Sequence, residues 1–409
     1  MKDNKKPTVA NNAATPKQLV RTRKFFKLLP LIAAVLFATS WSKFDGGNTD
    51  TVNEKRAGSI SYAKTYVGKN VGDASFSNPL TLVGDGKVVY TSDNTDVATV
   101  DADGNVTIVA AGKATITATV SEDTDGFTYA DANTGVFTVV VAPEDCIPGI
   151  FSVSKDKKVY FSKGNLQCNV KPKPGEKLWR FAEHQYDKCL NNKNWNVGEN
   201  YRSYKGKYID LFGWGTWLDS PDVESPTATH GECKRYIWKG TPVIGSVWET
   251  LSGGEDENAE WYYLLRCRES ATNKCGRGTV AGVFGMILLP DDWTFPNNLS
   301  EKSTPAVGFK SYREEWSSIY TAEDWAKMEA NGAVFLPGEG RLNPDGYINT
   351  NGSRDFVDGC YWSSSPDTIS FPDDDCLVWC LTFDIYGSVI PATSLRNDAC
   401  CSVRLVRPL

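Results

Sequence analysis

The sequence predicts two folded domains of different class, an all-β sandwich followed by an α+β domain, behind an N-terminal export segment. Short apolar stretches that alternate with polar residues and end in Gly, Asn or Asp turns fill residues 57–142. The composition then changes, because all eleven Cys and twelve of the thirteen Trp lie at or beyond Cys146. A run of Lys and Arg followed by an apolar segment occupies the start of the chain.

Residues 1–40 have the pattern of a secretion signal. Lys and Arg crowd residues 2–27, and the apolar run 28–39 is too short for a membrane-spanning helix. Small residues before Trp41 predict cleavage there, and an uncleaved anchor remains an alternative. The segment also resembles a bacterial lipoprotein signal, but Trp41 stands where the lipid-bearing Cys would be, which argues against a lipid anchor. Contact with a membrane is expected only through this segment.

The polar, Gly-containing residues 41–56 predict a flexible spacer. In the following segment, strands are expected over residues 88–91, 97–100, 106–109, 114–120 and 137–141, with a hairpin turn at Asp103–Asn105. The stretch YTSDNTDVATVDADGNVTIVAAGKATITATV resembles bacterial Ig-like domains of group 2. The resemblance covers residues 57–142 and implies an all-β Ig-like sandwich that acts as a stalk. This segment contains neither Cys nor His, so no catalytic role is expected.

Residues 147–409 predict a mixed domain, joined to the first by a linker at 142–145. Its expected elements are a hairpin of residues 151–153 and 159–161, a helix over 259–268, a strand over 283–289, a helix from Thr321 to Asn331, and a strand over 333–336.

Charge and histidine content argue against two classes of function. The net charge is −6 and no basic stripe follows residue 27, so nucleic-acid binding is not expected. The two His, His184 and His230, show no spacing typical of a catalytic triad and are interpreted as structural. The sequence therefore predicts a non-enzymatic protein without a cofactor.

The last fifty residues, Cys360–Leu409, have an unusual composition. They contain six Asp but no Glu, three Arg but no Lys, no Gln or Met, and five of the eleven Cys. Random replacement of the adenines in AAY codons would produce this bias, because NNY codons never encode Lys, Glu, Gln, Met or Trp. Trp362 and Trp379 break the exclusion and are interpreted as fixed positions. A β-rich tail also disfavours Lys and Glu, but Asp is an even poorer strand former.

Seven short elements of this domain recur together in a known family of proteins. They are FSKGNLQ (161–167), WRFAEHQYD (179–187), IDLFGWGTW (209–217), ILLPDDW (287–293), AVFLPGEGR (333–341), GCYWSSSP (359–366) and SVRLVR (402–407). Through them residues 147–409 resemble exported proteins of Gram-negative bacteria with a C-type-lectin-like fold. That family is related to the formylglycine-generating enzyme and to the variable proteins of diversity-generating retroelements.

The resemblance implies an α+β C-type-lectin-like (formylglycine-generating-enzyme-like) domain in the cell envelope or on the outer surface of a Gram-negative bacterium. In the variable proteins, the hypervariable segment lies between a YWSS-like motif and an SVR-like end. The corresponding segment here is 360–401, which is the segment with the biased composition. No motif transfers the redox-active cysteines of the formylglycine-generating enzyme.

A ligand-binding surface is predicted within this segment. If residues 376–383 form a strand, Leu377, Trp379, Leu381 and Phe383 share one face. Residues on the opposite face and in the loops 384–395 and 397–401 are expected to contact the ligand, with Trp362, Trp379 and SVRLVR as scaffold. The predicted ligand-binding residues are Asp374, Cys380, Thr382, Asp384, Ile385, Tyr386, Ile390, Thr393, Leu395, Asn397, Asp398 and Cys400. The alternative is that these are ordinary surface loops.

Neither the cysteines nor the acidic run of the tail predicts a metal site. Cys376 and Cys380 would lie about 13 Å apart along a strand, too far for one disulfide or one metal ion. Asp373–Asp375 offers the oxygen ligands that Ca²⁺ prefers, but the EPN, QPD and WND motifs of sugar-binding C-type lectins are absent. A solvated acidic loop is expected instead. Pairing among the remaining cysteines, Cys146, Cys168, Cys189, Cys233, Cys267 and Cys275, stays open.

Together these observations predict an exported recognition protein, with an Ig-like stalk and a head that binds an unknown protein or glycan through a diversified C-terminal surface. Two alternatives remain. One is a fixed fimbria-associated or surface adhesin of the same fold, and the other is an oxidase of the formylglycine-generating type.

Overall fold

The described part of the chain consists mostly of β-strands, arranged in two consecutive regions. The computed structural model describes residues 55–120, 123–129, 133–169, 172–189, 206–218, 241–269, 274–296, 298–300, 319–342, 348–349, 359–369, 377–384 and 388–409. The predicted signal segment and the spacer up to residue 54 lie outside these residues. Within them, no helix combines the length and apolar character needed to cross a membrane.

The first region, residues 55–142, contains eleven described strands. They are β1 (Arg56–Ala57), β2 (Ser59–Tyr62), β3 (Tyr66–Asn70), β4 (Phe76–Ser77), β5 (Leu80–Val83), β6 (Val88–Ser92), β7 (Ala98–Val100), β8 (Asn105–Ile108), β9 (Gly112–Val120), β10 (Phe127–Thr128) and β11 (Thr134–Ala142). The larger sheet has the order β3-β11-β9-β6 and the smaller one β4-β8-β7, while β1 pairs with β10 and β2 pairs with β5. Ala98 and Val106 of the smaller sheet pack with Ile116 and Val139 of the larger one.

The alternation of side chains explains why these segments form a sandwich. In β9 every second residue from Ala114 to Val120 is buried, as expected for a strand with one face on the core. The hairpin before β8 is fixed by Asp101, whose carboxylate accepts the backbone N–H of Asp103 and of Asn105, both at 2.9 Å. Gly104 supplies the positive φ of 83° that the turn requires. All five predicted strands are present, each within three residues of its expected bounds.

The second region, residues 146–409, contains seventeen described strands and three helices. The strands are β12 (Phe151–Ser152), β13 (Lys158–Phe161), β14 (Leu166–Asn169), β15 (Trp179–Phe181), β16 (Tyr208–Ile209), β17 (Phe212–Gly213), β18 (Cys275–Val280), β19 (Val283–Leu288), β20 (Ile319–Tyr320), β21 (Val334–Pro337), β22 (Arg341–Leu342), β23 (Ile348–Asn349), β24 (Gly359–Pro366), β25 (Leu377–Phe383), β26 (Val389–Arg396), β27 (Cys400–Cys401) and β28 (Val406–Pro408). The helices are α1 (Glu260–Tyr262), a π-helix (Tyr263–Cys267) and α2 (Ala322–Ala330).

These strands form five small sheets, with the orders β12-β13-β28, β15-β14-β16, β17-β27-β22-β23, β20-β18-β19-β21 and β24-β25-β26. The predicted hairpin is confirmed, because Phe151 pairs with Val159. The predicted helix from Thr321 is also confirmed, and the Thr321 hydroxyl caps it by accepting the N–H of Asp324. The segment predicted as one amphipathic helix instead forms a single α-turn that continues as the π-helix.

The predicted linker is packed between the two regions. Tyr66 of β3 donates its hydroxyl to the carbonyl of Pro148 at 2.6 Å, and Asn70 donates to the carbonyls of Pro143 and Cys146 at 2.8 and 2.9 Å. From the other side, the hydroxyl of Tyr160 donates to a carbonyl at the end of β11 at 3.2 Å. These hydrogen bonds connect the linker to both regions, and two of them, from Tyr66 and Tyr160, are buried.

Replacing Tyr66 by Phe is expected to lower the free energy of unfolding by about 1 kcal/mol, because the buried carbonyl of Pro148 loses its donor. Tyr62 provides the matched control, since its buried hydroxyl has no partner among the described residues. Tyr62→Phe is expected to leave stability unchanged or to raise it slightly. Urea unfolding of both variants measures the difference, and equal losses would contradict a role for the junction hydrogen bond.

Candidate ligand-binding site

A pocket of about 210 Å³ lies where the sheet β24-β25-β26 meets the start of β22. Its lining residues are Gly340, Arg341, Gly359, Cys360, Thr382, Phe383, Asp384, Ser388, Ile390 and Thr393. Four of the twelve predicted ligand-binding residues are therefore brought together here, Thr382, Asp384, Ile390 and Thr393.

The sheet positions these side chains through an irregularity in β26. Cys380 of β25 pairs with Thr393 of β26. Two residues further along β25, Thr382 pairs with Ile390, which lies three residues before Thr393. β26 therefore carries one extra residue at this point, which is a β-bulge. Pro391 lies inside the bulge, where the missing N–H of proline is tolerated. Bulges redirect side chains, and this one lets both Ile390 and Thr393 line the same pocket.

Hydrogen bonds order the polar side of the pocket. The hydroxyl oxygens of Thr382 and Thr393 are 2.6 Å apart. Asp384 forms two hydrogen bonds with Ser388, since its N–H donates to the carbonyl of Ser388 at 3.0 Å and its carboxylate accepts the N–H of Ser388 at 3.0 Å. The pocket thus has fixed hydroxyl and carboxylate groups on one side.

Three buried thiols lie beneath the pocket. The sulfur of Cys360 is 2.8 Å from that of Cys401 and 3.7 Å from that of Cys380. Burial by itself raises the pKa of the Cys360 thiol, but hydrogen bonding with the other two thiols and the charge of Arg341 outweigh it, so the pKa of Cys360 lies below its ordinary value. Among the described residues, no group of His, Cys, Asp and Glu side chains has the arrangement of a metal site.

The other predicted residues do not reach this pocket. Cys380, Asn397 and Cys400 are only 0%, 9% and 2% exposed. Leu395 packs against the apolar core, and Asp398 forms an ion pair with Arg396 at 3.4 Å. The remaining predicted residues, Asp374, Ile385 and Tyr386, lie outside the described part of the chain, as do Cys376 and Asp373–Asp375.

The burial of Cys380 corrects the expectation that one face of β25 is open. Leu381 and Phe383 pack into one core, as predicted, but Val378 and Cys380 pack into a second core together with Trp362. β25 is the central strand of its sheet and both of its faces are covered over most of its length. Only the end of β25, from Thr382 onward, borders the pocket. The alternation of side chains thus predicted the two faces of β25 correctly, but it did not predict the core layer that covers the face with Cys380.

Sequence reasoning missed the lining residues outside the biased segment, above all Arg341. This residue is the last of the element AVFLPGEGR, which carried the family resemblance but no site prediction. Gly359 was also missed, and a side chain at this position would overlap the ring of Phe383. The glycine therefore lets β24 approach β25 closely at the pocket wall.

Several of the recurring elements meet in one buried polar network next to this sheet. Arg404 donates to the side-chain oxygen of Gln185 at 2.6 Å, and the same oxygen accepts the N–H of Phe335 at 2.8 Å. Asn165 donates to the hydroxyl of Tyr361 at 3.0 Å, and that hydroxyl donates to the carbonyl of Pro337 at 3.0 Å. The indole N–H of the predicted scaffold residue Trp362 donates to a carbonyl in β17 at 2.7 Å.

The network includes a buried carboxyl pair, Asp210 and Glu339. Asp210 accepts the N–H of Cys189 at 2.8 Å, and the hydroxyl of Ser402 is 3.5 Å from Glu339. One oxygen of each carboxyl has no partner among the described residues except the opposite carboxyl. Burial raises the pKa of both groups, with Glu339 raised well above its ordinary value. Glu339 therefore keeps its proton and donates it to Asp210.

His184 takes no part in either group. His184 is exposed and its ring nitrogen is 3.4 Å from the carboxylate of Asp187, while His230 lies outside the described residues. The carboxyl pair is enclosed by framework residues and does not border the pocket. The arrangement suits a rigid scaffold that supports a binding pocket.

Comparison with known proteins finds a family match within the first region. Residues 79–141 match the family described as Bacterial Ig-like domain (group 2). Similar solved structures include an intimin mutant from EHEC O157:H7, which is 30% identical over 20% of this chain and 36% of that chain, with a TM-score of 0.14. The PKD domain of human KIAA0319 is 13% identical over 24% of this chain and 93% of that domain, with a TM-score of 0.17.

A third similar structure is BT4661 of Bacteroides thetaiotaomicron, a SusE-like surface-located polysaccharide-binding protein. It is 21% identical over 28% of this chain and 17% of that chain, with a TM-score of 0.15. The chain thus spans about a third of the intimin chain and less than a fifth of the SusE-like chain. No curated protein matches the chain. With its sandwich topology and the family match together, the segment of residues 79–141 belongs to the group 2 bacterial Ig-like domains.

Proposed function

We propose that this chain is an exported surface recognition protein, in which the Ig-like domain is a stalk and the second region is a C-type-lectin-like head. The head binds its ligand, a protein or a glycan, through the pocket beside β25 and the residues around it. The protein carries out no catalysis, and contact with the membrane is confined to the N-terminal segment. A Gram-negative envelope or outer surface is the proposed location.

One observation carries the proposal. Seven of the ten lining residues of the pocket lie in the compositionally biased segment 360–401, although this segment is only a tenth of the chain. The five of them that reach the surface, Thr382, Asp384, Ser388, Ile390 and Thr393, are all residue types that NNY codons encode. The residues that NNY codons cannot encode, Trp362 and Trp379, are buried. A rigid framework that presents exchangeable side chains is a general way to build binding sites.

The gene locus tests whether the segment is diversified. The proposal predicts a near-copy of the DNA that codes for residues 359–407, with an adenine wherever the two copies differ, and a reverse transcriptase gene nearby. Differences should concentrate in the codons of the five surface-reaching residues. If neither the copy nor the reverse transcriptase is present, the segment is fixed and a surface adhesin with the same pocket becomes the better interpretation.

The rim of the pocket is expected to tolerate exchange. Ile390 is 48% exposed, so Ile390→Asp should change the free energy of unfolding by no more than about 0.5 kcal/mol. Its neighbour Val389 is 5% exposed, and Val389→Asp should cost more than about 2 kcal/mol because it buries an unpaired polar group. Urea unfolding of the two variants makes the comparison. Equal losses would contradict the proposal that the rim is exchangeable.

A further inference from the structure

Arg341 is a charged residue of the pocket whose side chain has no hydrogen-bond or ion-pair partner among the described residues. Its side chain is half-buried and lines the pocket, yet it forms no hydrogen bond or ion pair with any residue that the structure describes. Two other arginines of this region have protein partners, since the exposed Arg266 donates to the carbonyl of Val389 and the buried Arg268 contacts Asp291. Half-burial removes part of the hydration of this guanidinium, and no hydrogen bond from the described residues replaces it.

The remaining charges at the pocket do not neutralise Arg341. Asp384 is held by the N–H of Ser388 and interacts electrostatically with Arg277, a second cation on the adjacent sheet. Against the effect of burial, the charge of Arg341 also acts to lower the pKa of Cys360 and of Cys380, whose buried sulfurs are 3.7 Å apart and hydrogen-bonded to each other. The lining therefore carries one cation, Arg341, and one carboxylate, Asp384, and because Asp384 already interacts with Arg277 outside the lining, the guanidinium favours an anionic ligand.

The hydroxyl pair opposite Arg341 adds a donor. Only one of the two hydroxyls of Thr382 and Thr393 can donate within the 2.6 Å contact between them. The hydrogen of the other hydroxyl is then available to a ligand oxygen. A guanidinium fork together with a hydroxyl donor matches the two oxygens of a carboxylate.

We infer that this pocket binds the carboxylate of an acidic side chain on a protein partner, with Arg341 as its principal contact. The inference deepens the proposed recognition function and rests on it. A protein is favoured over an acidic glycan because the rim exposes Ile390, an apolar anchor beside an arginine, as protein interfaces do. The aromatic residue of the lining, Phe383, is buried and offers no exposed face on which a sugar could stack.

Ligand-observed saturation-transfer NMR on the full chain tests the inference with three small probes. These are the methylamide of N-acetylglutamic acid, the corresponding glutamine derivative and glucuronic acid. The glutamic acid probe is expected to receive saturation and the glutamine probe is not. Arg341→Ala should weaken binding about tenfold or more, because it removes charge-assisted hydrogen bonds. Arg341→Lys should recover only part of the affinity, since an ammonium group lacks the planar fork.

Arg396→Ala is the matched control, because Arg396 is an exposed arginine of β26 outside the pocket and its loss should leave binding unchanged. Circular dichroism verifies that each variant is folded. Equal binding of the two glutamyl probes, binding of glucuronic acid alone, or equal effects of the two alanine variants would overturn the inference. The locus test and the Ile390→Asp comparison are independent of Arg341, so they decide the recognition function separately.

Discussion

The Glu339→Gln variant is expected to lose much of the dependence of stability on pH above about pH 4.5. In the wild-type protein Glu339 shares a proton with Asp210 in the core, and burial raises the pKa of both carboxyls. In the unfolded chain the same groups ionise near their ordinary pKa values of 4.5 and 3.8. The folded protein therefore binds more protons than the unfolded chain above this pH.

The sign of the effect follows from this proton difference. A carboxyl with a raised pKa in the folded state stabilises fully below the unfolded pKa, and this stabilisation is lost as the pH rises. For one proton, the free energy of unfolding falls by about 1.4 kcal/mol per pH unit until the folded pKa is reached. Gln donates the same hydrogen bond to Asp210 without a proton to lose, so the slope should shrink by about that amount.

Urea unfolding between pH 5 and pH 8 measures how the free energy of unfolding changes with pH in both proteins. The difference between the two slopes removes the contributions of Cys360 and Glu329, whose pKa values are also shifted. Lys188 and Ser402 face Glu339 and favour its ionised form, which limits the range over which the slope persists. Glu323→Gln, at an exposed position in the first turn of α2, is the control. Parallel curves for wild type and Glu339→Gln would show that the pair does not share a proton.

The Arg404→Met variant is expected to lose about 3–5 kcal/mol of stability. Arg404 is 1% exposed and donates to Gln185 at 2.6 Å and to Asn165 at 3.5 Å. Burial lowers its pKa to about 10, opposed by Tyr361 and Glu329, so the side chain remains charged at neutral pH. Met fills much of the volume but leaves the amide oxygens and the nearby Glu329 without a cation.

Arg407 is the matched control, because it lies in the same element SVRLVR but is half-exposed on β28. Arg407→Met should cost less than about 1 kcal/mol. Denaturant unfolding distinguishes the two, and similar losses would argue against the buried network as the main stabilising feature of the second region. Arg404→Lys should be intermediate, since Lys keeps the charge but cannot reach both amides in one plane.

The first region was predictable because its signals are local. Alternation in residues 114–120 and the turn at Asp103–Asn105 depend only on neighbours in sequence, and both predictions match the structure. In the second region the hairpin at Phe151 and the helix at Thr321 were predictable for the same reason. The amphipathic pattern did not distinguish the π-helix at Tyr263–Cys267 from an α-helix, because tertiary contacts determine which of the two helices forms.

The candidate site was only partly predictable. Codon bias and alternation predicted Thr382 and Ile390 as site residues, because both patterns can be read from the local sequence. Arg341 is 41 residues from Thr382 in sequence and joins the site through the bridge between Gly340 and Gly359 and the pairing of β22 with β27, which no local pattern encodes. The burial of Cys380 likewise depends on a second core layer that forms from distant segments.

The bridge between Tyr361 and Ser402 has a consequence for the thermodynamics of the biased segment. These residues pair in parallel, and their neighbours Cys360 and Cys401, 41 positions apart, are in contact. Both ends of the segment are thus anchored in the polar network, through Tyr361 on one side and Arg404 on the other. In polymer terms the segment is a closed loop. The contacts at the two ends of the segment offset the entropy that is lost when the loop closes. Residues inside the loop can therefore be exchanged while the contacts that close it remain.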